Sequence, residues 1–100
     1  MPRLVRTSCP VRAEISRRFF VALERLIELQ KVASLESFCN LHGLSAPRYR
    51  ELRLGFGVNP KPDFKPRYSG IELEAAYYLV AKYPVSGNWL LSGRGKMLTV

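Results

Sequence analysis

Through the first third of the chain, apolar residues recur at helical spacing: Ile15, Phe19, Ala22, Leu23, Leu26 and Ile27 share one side of a helical wheel. Arg17, Glu24, Glu28 and Lys31 take the other side, so the pattern predicts an amphipathic helix from Ala13 to about Val32. Glu14 and Arg18 have the i,i+4 spacing of an ion pair on its surface. Ser34 offers a hydroxyl to cap a second helix, in which Leu35, Phe38 and Leu41 form the inward row. That helix is expected to stop at His42 and Gly43, because glycine enters the left-handed conformation of a helix end without a steric penalty. Ser45 is the next cap. Pro47 falls in the first turn of a third helix, where its missing N–H has no partner to lose. This helix is predicted to run to about Leu54, with Tyr49 and Leu52 inward and Arg48, Arg50 and Arg53 outward.

The helical pattern then breaks. Pro60, Pro62 and Pro66 exclude regular helix or central strand between Gly55 and Gly70. A loop of that length in a small domain implies either mobility or a part in binding. Ser69 and Glu72 form a capping-box pattern for a fourth helix through Lys82, with Leu73, Ala76, Tyr77 and Val80 as its inner face and Pro84 beyond its end. Ser86 is placed to cap a short fifth helix, Gly87 to Leu91, with Gly93 as its stop. The expectation is an all-α, compact five-helix domain with a long loop between helices three and four.

With 100 residues the chain makes one domain, and 47% hydrophobic residues suffice for a core. Two cysteines, Cys9 and Cys39, with no CxxC pair fit neither a disulfide framework nor a zinc site, which points to a reduced, intracellular setting. The N-terminus lacks the apolar stretch of a signal peptide, and the longest apolar run, Ala75 to Ala81, is too short for a bilayer. A cytoplasmic protein without membrane contact is therefore expected.

Charge changes the picture more. Of the formal net charge of +8, two segments account for the whole: residues 1–18, with five arginines against Glu14, and residues 45–67, with six basic side chains against Glu51 and Asp63. Such clustering suits a polyanion, since each neutralised phosphate releases counterions. Residues 1–12 are expected to form a basic arm carrying Arg3, Arg6 and Arg12.

Two short helices joined at a glycine, the second rich in arginine, have the elements of a helix-turn-helix. The run from Ser34 to Gly55 resembles the helix-turn-helix of the phage repressor/Cro-type family. Phe38-Cys39 stands where that family commonly has Leu-Ala, Gly43 at its turn glycine, Tyr49 and Leu52 at its buried aliphatics, and Gly55 after the recognition helix. The closing "YPVSGNWLLSGRGKML" is similar to the last helix junction of a subgroup of the same family. The chain departs from the pattern at Leu35, at Arg53, and at Ala46 and Pro47, neither of which makes a bidentate bond to a base edge.

The resemblance implies a lambda-repressor-like fold that binds double-stranded DNA as a homodimer, as a transcriptional regulator or a mobile-element accessory protein. Arg48, Arg50 and Glu51 would then meet base edges, with Ser45 at the helix start and Arg53 and Lys31 nearer the backbone. The clustering of charge, apart from the resemblance, suggests Lys61, Lys65 and Arg67 as a second backbone clamp. Two alternatives use the same helices: a protein-interaction module whose fourth and fifth helices hold the partner, and an RNA-binding domain.

Other candidate chemistry is thin. Gly93-Arg94-Gly95-Lys96 lacks the spacing and the flanking strand of a phosphate-binding loop. His42 has no second histidine or identifiable acid beside it. Cys39 falls on the buried side of its helix, Tyr77, Tyr78 and Tyr83 have core or dimer spacing, and Glu72 and Glu74 diverge. The expectation is a protein that is not an enzyme and has no cofactor, no metal and no small-molecule ligand.

Overall fold

The computed structural model describes residues 10–64 and 67–99. Five helices follow one another: α1 (Pro10–Glu28), α2 (Leu35–His42), α3 (Ala46–Phe56), α4 (Leu73–Lys82) and α5 (Gly87–Ser92). No strand occurs among the described residues, apart from an isolated antiparallel bridge between Val85 and Leu98. The helix α1 is the hub: α3, α4 and α5 all pack on it, and α2 packs on α3. No described helix is long and apolar enough to cross a membrane.

Each helix boundary has a local cause. The α1 helix begins three residues before Ala13, because Pro10 needs no hydrogen-bond acceptor in a first turn. It ends at Glu28 rather than near Val32, because Gln30 turns into the left-handed region at φ 62° and swings Val32 back onto the core. Ser34 Oγ accepts from the Ser37 N–H at 3.0 Å, and α2 closes on Gly43 at φ 72°. Ser45 Oγ accepts from the Arg48 N–H at 3.4 Å. The α3 helix runs through Gly55 and is capped by Gly57, whose N–H reaches Arg53 O at 2.9 Å while Phe56 packs against the core. Ser86 Oγ accepts from the Trp89 N–H at 3.2 Å, and Gly93 ends α5 at φ 78°.

The core is aromatic at its centre. Phe19 meets Phe20, Phe38 and Tyr49 with ring centroids 5.0, 5.7 and 6.0 Å apart, edge-on or tilted as the ring quadrupoles prefer. Leu23, Leu26, Leu52, Leu79 and Leu90 close around them. Leu41, expected to face inward, is exposed, because the inward row of α2 runs through Leu35, Phe38 and Cys39 instead.

The expected geometry of α4 is corrected in two respects. Its buried side is Ala75 and Leu79, whereas Leu73 is 82% exposed and Tyr77 59%. The capping box of Ser69 and Glu72 does not form. Glu72 is the N-cap residue, but its side chain makes no cap bond and is held by Tyr49 instead.

Two buried hydroxyls fasten the end of the long loop. Ser16 Oγ donates to Arg12 O at 2.8 Å and accepts from the Ile71 N–H at 3.0 Å. Tyr49 Oη donates to Glu72 Oε1 at 3.1 Å and accepts from the Glu72 N–H at 3.0 Å. Gly70 lies against Ser16 at φ 155°, and a Cβ there would stand 2.6 Å from Ser16 Oγ and 2.9 Å from Arg12 Cγ. Gly43 also has a positive φ, but a Cβ on it would meet nothing within 4 Å. Gly43→Ala should therefore cost only the backbone strain, about 1 kcal/mol, whereas Gly70→Ala adds a collision and should cost about 3 kcal/mol. Urea unfolding of the two variants measures the difference. Equal losses would mean that the Gly70–Ser16 approach is not a close fit.

Candidate nucleic-acid interface

A helix of eleven residues that buries Ala46, Tyr49 and Leu52 turns the opposite side outward. On α3 that outward row is Pro47, Arg50 and Leu54, with Glu51 beside it one turn after Pro47. Three residues, Gly43 to Ser45, join α2 to α3.

The arginines of α3 do not stand alone. Arg50 pairs with Glu36 of α2 at 3.3 Å and Arg53 with Glu24 of α1 at 3.7 Å. Arg48 turns to the side: its guanidinium lies 4.3 Å over the Tyr68 ring, reaches Glu72 at 3.6 Å, and buries an Nε with no hydrogen-bond partner among the described residues. Exposed pairs of this length are worth about 0–1 kcal/mol each, so a competing anion displaces them easily.

Glu51 has the tightest partner. Arg67 donates to it from Nη2 at 2.8 Å, from Nε at 3.1 and 3.2 Å, and from its backbone N–H at 2.8 Å. These hydrogen bonds hold the Glu51 carboxyl below its ordinary range. Arg67 lies 16 positions further along, yet the loop returns it to the outward side of α3, where its side chain is 75% exposed. Its guanidinium shares the Tyr68 ring with Arg48, at 5.6 Å.

Among the remaining expected contacts, Ser45 is exposed at the head of α3, and Lys31 and Lys61 are exposed in the connections after α1 and α3. Lys65, Arg3 and Arg6 lie outside the described residues. Arg12 is not part of an arm. It sits in α1 and donates to Ile71 O at 3.4 Å, because the helix starts at Pro10. Arg18, read from the sequence as half of a surface pair, keeps Glu14 at 3.5 Å but mainly caps α5. It donates to Leu90 O at 2.8 Å and Leu91 O at 3.0 Å, where a helix end leaves carbonyls without partners. The 72-residue separation hides this from any local pattern.

Three further groups are structural. Burial pushes the Cys39 thiol up to about 11, which keeps it protonated and unreactive near neutral pH. His42 stacks on Tyr78 at 4.6 Å and hydrogen-bonds Tyr83 Oη at 2.9 Å, and burial, with Lys82 nearby, lowers its pKa. The C-terminal Gly-Arg-Gly-Lys stretch folds back: Asn88 Nδ2 reaches Arg94 O at 3.4 Å, and the Ser86 N–H reaches Met97 O at 2.8 Å.

A depressed carboxyl stabilises the fold above its unfolded pKa, and that contribution is lost as pH falls through the lowered folded value. Following the Glu51 carboxyl by NMR should give a midpoint below the ordinary 4.5, returning towards it in Arg67→Ala. An unmoved midpoint would mean that the pair does not persist in solution. No family model, curated protein or solved structure matches the chain.

Proposed function

We propose that the protein binds double-stranded DNA through a helix-turn-helix made of α2 and α3, with α3 in the major groove, as a transcriptional regulator or mobile-element accessory protein. The observation that carries this reading is the outward side of α3. It is an exposed helix face on which Arg50 is held by a loose, exposed carboxylate pair, while Arg53 at its flank is paired as loosely with Glu24 of α1. Phosphate oxygens can replace those carboxylates with charge-assisted bonds of the same kind. Arg48 is the exception: its stacking on Tyr68 ties it to the loop.

Fluorescence anisotropy on mixed-sequence duplex DNA across a salt series tests the reading. Arg50→Ala and Arg53→Ala should each weaken binding and lower the salt slope by about 1. Glu36→Gln, which releases Arg50, should tighten it a few-fold. Binding that ignores all three changes would remove α3 from the interface. Tighter binding to duplex RNA of the same length would favour the RNA-binding reading.

The second reading, a protein-interaction module, draws on α4 and α5. An open groove of about 610 Å³ runs between α4 and α5, bordered by Leu73, Tyr77, Val80 and Leu91, with Glu74 the only charged residue among its described lining. We take its occupant to be a second copy of the chain, the homodimer of the DNA-binding reading. A chain of net charge +8 repels itself, and this nearly uncharged face lets two copies meet without opposing their basic segments. Sedimentation velocity should find a two-chain species for the wild type and a single chain for Leu91→Glu, a change at an exposed side chain. A wild type that stays a single chain would leave the groove to another protein.

A further inference from the structure

Resting on the DNA-binding reading, we infer that Arg67, supplied by the loop and braced by Glu51 of α3, is the residue that reads a guanine in the major groove. The geometry of the guanidinium carries this. Its Nε and Nη2 form one edge, and the Glu51 carboxylate occupies that edge, with a further bond from the Arg67 backbone N–H. The adjacent edge, Nη1 with the second proton of Nη2, donates to no acceptor among the described residues. Two parallel N–H donors on a planar, immobilised group match the O6 and N7 acceptors of guanine.

The position is equally specific. Glu51 stands next to Pro47 and Arg50 on the outward side of α3, so a guanidinium fastened to it extends the same surface. The Arg67 side chain is 75% exposed while Glu51 is only 18% exposed: the arginine covers the acid and projects beyond it. Tyr68 restricts the arginine from its other side, with the Arg67 guanidinium 5.6 Å and the Arg48 guanidinium 4.3 Å from its ring. A donor fork held at its base and flank loses little freedom on binding.

Charge separates a base contact from a phosphate contact. Arg67 and Glu51 together are neutral, and a carboxylate within 3 Å disfavours a second anion on the same guanidinium. The edge of a guanine is neutral and rich in acceptors, so it meets the open donors without that repulsion. The same pairing explains why Pro47, which offers no donor, can head the outward row: the reading group beside it comes from the loop instead of the helix.

Selection from a pool of randomised duplexes, with the full chain as bait, tests the inference. The wild type should enrich a site containing a G·C pair, and substitution of that pair should weaken binding roughly 5- to 100-fold. Arg67→Ala should lose the preference at that pair while other positions keep theirs. Arg67→Lys, which keeps the charge without the fork, should lose it too. Glu51→Gln should blunt it while leaving mixed-sequence affinity equal or tighter. An unchanged consensus in Arg67→Ala overturns the inference, as does a uniform loss on every duplex with a lower salt slope, the mark of a phosphate contact. Wild-type binding without any consensus overturns it and leaves the DNA-binding reading standing. If the wild type binds no duplex at low salt, both fall.

Discussion

The Tyr49 hydroxyl is the point on which the arrangement turns. It is buried, an unpaired hydroxyl there would be costly, and it closes a two-way bond with Glu72: the carboxylate accepts its proton and the backbone N–H donates to its oxygen. Burial, the largest influence, raises the Tyr49 pKa, so the hydroxyl keeps the proton it donates. Through this bond the inward side of α3 determines where α4 begins. Ser16 does the same one residue earlier, binding the Ile71 N–H from α1. Together they require the chain between Gly57 and Gly70 to return across α3.

That return decides the chemistry of the outer surface. Once Ile71 and Glu72 are anchored, Arg67 and Tyr68 fall beside α3, where Arg67 meets Glu51 and Tyr68 lies under Arg48. Glu72, engaged by Tyr49, also draws Arg48 aside at 3.6 Å. One buried hydroxyl thus links a core aromatic to the identity of the arginine that faces outward. The proline-rich loop is tied to α3 near its start, with the Lys61 N–H bonded to Leu54 O at 2.8 Å.

The opposite half of the molecule depends on Arg18. By donating to the last carbonyls of α5, it secures a six-residue helix too short to be stable by itself. The Val85–Leu98 bridge then ties the chain after α5 back to its entrance. Among the described residues, Leu73, Tyr77 and Leu91 stay exposed along α4 and α5.

The caps and the apolar periodicity were legible in the sequence because both are local. Ser34, Gly43, Ser45, Ser86 and Gly93 do what their residue types and positions imply, and Phe19, Leu23, Phe38, Tyr49 and Leu52 form the core that their spacing implies. Partnership across the fold was not legible. Ser69 and Glu72 have the spacing of a capping box, but the Glu72 carboxylate goes to a tyrosine 23 positions away that offers it both a donor and an acceptor. The inner side of α4 failed for a related reason: a helix apolar nearly all round has no unique inward side, and docking on α1 chose Ala75 and Leu79 over Leu73 and Tyr77. By itself the sequence determined five helices, the caps of α2 and α5, the start of α3 and the excess of basic charge. Only the tertiary structure decided which acid each arginine meets, because that choice depends on distances set by packing between helices far apart along the chain.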